Sequence, residues 1–291
     1  MFFELFNVIS PVIIIALIGY IWVKRGFDYP TGLITSLNMN FGAPCLVFVG
    51  ILDLGQDLDT MSNFMFASFI AASLMHIIVF ALVLLAKLPK RGYTIALASS
   101  NCGNMGIPLC LFAFGQAGMS LAIAYFTIGC FFQMTVALFI SHGSLKANSL
   151  LRVPLLWGIF CAFAFVLSGT EPPKWILNTT GLLSGVTIPL MLLTLGASLA
   201  TLKVIRLGKI MTLGGIKIAL GMTIGILVAH YFGFQGLERN VLIMQMSMPV
   251  AVFSYLLASK YNRNPEEVAS LILVTTLMSF VTVPLMLIYL F

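Results

Sequence analysis

Ser99-Ser100-Asn101-Cys102-Gly103-Asn104-Met105-Gly106-Ile107-Pro108 is the stretch that decides how this chain is built. It stands inside an apolar segment, yet combines two glycines, two amides, two hydroxyls and a proline. A helix that merely spans a bilayer has no use for these, because backbone left open in hydrocarbon is tolerated only inside protein or beside water. Proline lacks an N–H and displaces the carbonyl four residues earlier. Pro108 is thus expected to free the carbonyl of Asn104. Pro249, in the weaker copy Met244-Gln245-Met246-Ser247-Met248-Pro249, is expected to free that of Gln245. Two helices that break at mid-depth cross there, and half-helix N-termini then offer N–H groups and partial positive charge to an anion. Asn101 and Asn104, three apart, share a face if that turn stays helical.

The surroundings fix the class. Of 291 residues, 60% are hydrophobic and 8% charged, and the mean hydropathy is +1.08. A soluble domain carries about 25% charged residues, so a soluble enzyme, a nucleic-acid binder and a disordered chain are excluded. Segments such as Phe69–Leu85 and Leu271–Phe291 are continuously apolar, whereas the strands of a membrane barrel alternate. Spans are expected at 3–23, 31–52, 62–86, 92–113, 117–141, 153–169, 174–202, 208–231, 238–259 and 268–290. The first is read as a retained helix, since no basic segment precedes it. The five cysteines lie in apolar segments with no CxxC pair and no histidine cluster. They read as packing residues, and neither a metal nor a cofactor is expected.

Lys24, Arg25, Lys87, Lys90, Arg91, Lys146, Arg152, Lys203, Arg206, Lys209, Lys260 and Arg263 fall in alternate loops, against Lys174 and Arg239 in the others. By the positive-inside rule both termini are non-cytoplasmic. Asp53, Asp57 and Asp59 form an acidic non-cytoplasmic loop, read as solvated or as a cation site.

Ten spans divide into two sets of five, 1–145 and 146–291, and an odd number of spans inverts the second set. Pro11, Pro30, Pro44 and Pro108 find partners at Pro154, Pro173, Pro189 and Pro249 with nearly constant offset, as an internal repeat requires. The expected fold is therefore an all-α membrane protein: two inverted five-helix repeats with broken, crossing helices 4 and 9.

Asn101 through Leu109, ending Met105-Gly-Ile-Pro-Leu, resembles the auxin efflux carrier family, which includes plant auxin transporters and bacterial organic-acid carriers. The second-helix stretch Asn38-x-x-Phe41-Gly42-x-Pro44 and the Met248-Pro249 break resemble it too. The resemblance implies a scaffold of helices 1, 2, 6 and 7 that dimerises. It also implies a transport domain of helices 3–5 and 8–10, and elevator movement of a small organic anion past the bilayer.

The expected anion site comprises Ser100, Asn101, Asn104, Gln245, Asn40 and Lys217, with Gly103, Gly106, Pro108 and Pro249 shaping the crossing. Asn38, Asn40 and Gln133 are read either as lining the site or as interhelical hydrogen bonds. Lys217 and His76 are taken as the two deeply placed ionisable groups, with no buried Asp or Glu. Lys217 either compensates the anion or gates its path, or else snorkels to the cytoplasmic face. His76 is a gating or proton-linked group, or a packing residue. Gly221 and Gly225 form a GxxxG packing motif. The competing classes are a sodium-coupled bile-acid-type symporter of the same crossed-helix plan, an anion channel or sensor, and an intramembrane enzyme. The enzyme is excluded for want of HExxH, paired membrane aspartates or GxSxG.

Overall fold

The computed structural model describes residues 2–54, 58–142 and 154–290. Asp57, Lys146, Arg152 and the expected boundary between 145 and 146 lie outside these. Helix α1 is Phe2–Lys24; α2 (Thr31–Leu37) runs through a π-helical turn (Asn38–Gly42) into α3 (Ala43–Leu54). Then follow α4 (Leu58–Leu85), α5 (Lys90–Ala98), a second π-helical turn (Cys102–Gly106) and α6 (Ile107–Phe132). A third π-helical turn (Gln133–Ala137) leads into α7 (Leu138–His142). The remaining helices are α8 (Pro154–Ser168), α9 (Lys174–Thr201), α10 (Leu207–Tyr231), α11 (Gly236–Ser247), α12 (Phe253–Lys260) and α13 (Pro265–Leu290). Among the described residues, extended pairing is confined to one antiparallel bridge, Ser100 with Val250.

Seven helical stretches are long and apolar enough to cross a bilayer, and α8 is shorter. Gly115 interrupts α6 at φ +68°, ψ −162°, a conformation that side chains with a Cβ rarely adopt. Phe3, Leu85, Phe160, Trp175 and Leu182 are each at least 70% exposed. A chain that turns so many large apolar groups outward needs lipid around it.

Glycines set the closest approaches. A Cβ on Gly19 or Gly196 would run into the backbone of the facing helix, so α1 and α9 pack backbone to backbone. Gly221 and Gly225 of α10 do the same against Met246 and Ile243 of α11, which is the packing use expected of that motif.

The proline pairs behave unevenly. Pro30 and Pro173 both precede the first residue of a helix, α2 and α9. Pro44 follows a π-helical turn, whereas Pro189 sits inside continuous α9. Pro249 lies in the extended crossing strand, but Pro108 is the second residue of α6. A π-helical turn runs directly into α6, so Pro108 stands inside a helical run that begins at Cys102. The extended opening of the crossing lies upstream of it, at Ser99–Asn101.

Candidate functional site

The site is built where α5 and α11 end. Ser99 turns extended (φ −94°, ψ 116°) and Asn101 leaves helical geometry (φ −77°, ψ 52°). On the other strand Met248 is extended (φ −58°, ψ 149°) and Pro249 has no N–H to continue a helix. The two strands then satisfy each other. Asn101 donates its N–H to the Pro249 carbonyl at 2.7 Å, and Ala251 donates to that of Ser99 at 3.0 Å. Ser100 Oγ donates to the Met246 carbonyl, and the Val250 N–H is taken by Thr275 Oγ1. Broken backbone at this depth thus finds partners inside the protein, as hydrocarbon demands. The carbonyl of Gln245 is not free as expected, since it accepts the Met248 N–H at 3.4 Å.

A cavity of about 110 Å³ lies against this crossing. One wall is Ser100–Asn104, at the start of the helix that continues into α6; another is Ala251–Phe253, at the start of α12. Facing them are Thr31, Thr35 and Asn38 of the α2 segment, and Thr194, Ser198 and Thr201 of α9. Phe126, Gln133 and Tyr255 add to a lining that among the described residues holds no charged side chain. Asn101 Nδ2 and Asn38 Oδ1 are buried and have no hydrogen-bond partner, while Thr194 Oγ1 meets Tyr29 Oη at 2.9 Å. Buried polar atoms are normally paired; the Asn38 oxygen lies toward Gly42 and Thr187, and the Asn101 amide is the orphan donor of a cavity-lining residue.

Ser100, Asn101 and Asn104, read as binding residues, and Gly103, read as shaping the crossing, all line the cavity. Gly103 is needed there, since a Cβ would come within 2.7 Å of the Phe126 ring. Gln245 does not line it. Gln245 is fully buried behind the crossing, against Gly106 and 3.5 Å from the Ala122 carbonyl. Asn40 also faces elsewhere, bonded to Ser36 and bordering an outer groove with Pro44 and Trp157. Its neighbour Asn38 takes the place expected of it. Lys217 is 1% exposed, does not snorkel and is not among the cavity-lining residues; its ammonium bonds Ser100 Oγ and the Met248 carbonyl from the far side. His76 bonds the Ala72 carbonyl and stacks on Phe132, away from the cavity.

The hydroxyl wall escaped sequence reasoning. Its signal was present: Thr31, Thr35, Asn38 and Thr194, Ser198, Thr201 both follow i, i+4, i+7, a polar stripe on apolar helices. A buried acid also exists. Glu267, at the start of α13, is 7% exposed and is bonded by Arg206 at 2.8 Å, with Lys209 at 3.8 Å.

Comparison with known proteins agrees with the architecture. The model of the membrane transport protein family matches residues 5–150 and 146–287. An uncharacterized transporter of Methanothermobacter thermautotrophicus is 26% identical over 293 aligned positions, covering 95% of each chain. One from Methanocaldococcus jannaschii is 28% identical over 198 positions, covering 64% of this chain and 63% of that relative.

Proposed function

The chain belongs to the membrane transport protein family, of auxin efflux carrier type, and from that premise we propose that it is a secondary carrier of a small carboxylate. One observation carries the reading: two half-helix N-termini and the unpartnered Asn101 amide meet on one buried cavity. Each helix N-terminus presents about half a unit of positive charge. A carboxylate only accepts hydrogen bonds, and Asn101, Asn104 and Gln133 can all donate. With no fixed cation in the lining, the bound anion is held by dipoles alone and is released readily.

The same reading takes the architecture as ten spans in two inverted repeats. Gly115, which separates two helical arms, and the antiparallel crossing support it. The cavity lies between α2 and α9 on one side and the crossing on the other. We read α1–α3, α8 and α9 as a scaffold that pairs with a second copy, and the rest as a unit that slides along the hydroxyl stripes in an elevator cycle. The lining extends to Thr31, Thr201 and Leu202, beside the basic segments at Lys24, Arg25 and Lys203. With those segments cytoplasmic, the cavity faces inward and both termini are outside.

Uptake of radiolabelled mono- and dicarboxylates into proteoliposomes tests the proposal. Saturable uptake of at least one is expected. No uptake across the panel, or ion current far above carrier turnover, overturns it.

A further inference from the structure

Lys217 lies in the middle of α10, fully buried, with no carboxylate within ion-pair distance among the described residues. A buried charge without a partner is expensive, so something else must balance it. The bonds of its ammonium show what. It donates to the Met248 carbonyl and to Ser100 Oγ at 2.9 Å, and the Ser100 hydroxyl donates in turn to the Met246 carbonyl at 3.2 Å. These acceptors belong to the end of α11 and the residues just after α5.

The crossing thus has two electrical faces. The helix starts at Cys102 and Phe253 face the cavity and are positive. The helix ends at Ala98 and Ser247 lie toward Lys217 and are negative, about half a unit of charge each. Two such ends amount to about one negative charge, which one ammonium neutralises. Unwound carbonyls and half-helix C-termini are also the groups with which carriers hold sodium or a proton. Lys217 offers the same charge and three donors, anchored by its own backbone.

We propose that Lys217 is a tethered cation filling the cation site of this crossing, so that the protein binds no sodium or other metal cation there. The uptake half of the test rests on the carrier reading; the occupancy half does not.

Thermal unfolding of the purified protein, followed by tryptophan fluorescence without any substrate, tests occupancy. The wild type should have the same midpoint in sodium chloride and choline chloride. Lys217→Ala, which removes the ammonium and leaves room, should unfold several degrees lower and recover saturably with ethylammonium or sodium. Lys217→Met, which refills the room with an apolar stem, should unfold lower and not recover. A saturable sodium-induced rise in the wild type overturns the proposal. So does a Lys217→Ala protein as stable as wild type, or one that no amine or metal cation restores. If Lys217→Ala does not fold, the wild type still decides through its sodium response and through uptake with sodium replaced by choline. Failure of every carboxylate in uptake would remove the carrier reading and leave the unfolding result standing.

Discussion

Asn101 donates its backbone N–H to the carbonyl of Pro249 across 2.7 Å, and so fastens the exit of one interrupted helix to the exit of the other. The same residue leaves its side-chain amide unpaired on the cavity. Backbone and side chain of Asn101 are therefore separately placed, one holding the crossing and one left open at the cavity.

Substitution at Asn101 and Asn104 should expose that division. Asn101→Ala keeps the backbone bond and loses the amide. A hydrogen bond to a charged group is worth about 1.5–3 kcal/mol, or roughly ten- to a hundredfold in affinity. Isothermal titration should find losses of that size for Asn101→Ala and Asn104→Ala. Cys110→Ala, in the buried body of α6, should bind nearly as wild type.

Asn38 and Asn40 form a second contrast. Asn38 lines the cavity, whereas Asn40 is held by Ser36 on an outer groove. Asn38→Ala should alter uptake KM severalfold, and Asn40→Ala should leave it unchanged. Equal effects would mean that the α2 wall does not touch the cargo.

Close packing predicts an asymmetry along α10. A Cβ at Gly221 would strike the Met246 backbone, while at Gly215 it would make ordinary contact with Met278 at 3.6 Å. Gly221→Ala should destabilise by about 1–3 kcal/mol, seen as a lower unfolding midpoint, and Gly215→Ala should not.

The Glu267 ion pairs are lopsided, with an exposed Arg206 against a buried carboxylate. Removing Glu267 returns cations to water, but removing both partners strands a buried acid, at a cost of about 3–5 kcal/mol. Arg206→Gln with Lys209→Gln should therefore lower the midpoint more than Glu267→Gln does.

Sidedness is open to labelling. In a background without native cysteines, Lys87→Cys should react with an impermeant maleimide only from the cytoplasmic side, and Lys174→Cys only from outside.

The membrane class and the interrupted Ser99–Pro108 stretch were legible because they depend on composition and on residues that helices avoid. What the sequence hid was mostly rotation. Asn38 and Asn40 are two residues apart, which in a helical turn is about half a turn, so one faces the cavity and the other a groove. Lys217 is conspicuous as a lone cation, but which electrical face of the crossing it meets depends on how α10 packs on α11. Pro108 marks the region but not the break itself: the π-helical turn Cys102–Gly106 separates it from the extended residues at Ser99–Asn101. No buried acid was expected; the burial of Glu267 goes with Arg206 and Lys209, which reach to it from the start of α10 and the residue before it.

The Ser100–Val250 bridge bears on how the protein is made. Between those residues the ribosome adds about 150 more, which at roughly 5–20 residues per second takes on the order of ten seconds. Throughout that interval the carbonyl of Ser99 and the N–H of Asn101 have no second strand to meet. The N-terminal half must therefore be sheltered by the insertion machinery or by bound water until α11 arrives, and a nascent chain arrested before α11 cannot complete the crossing.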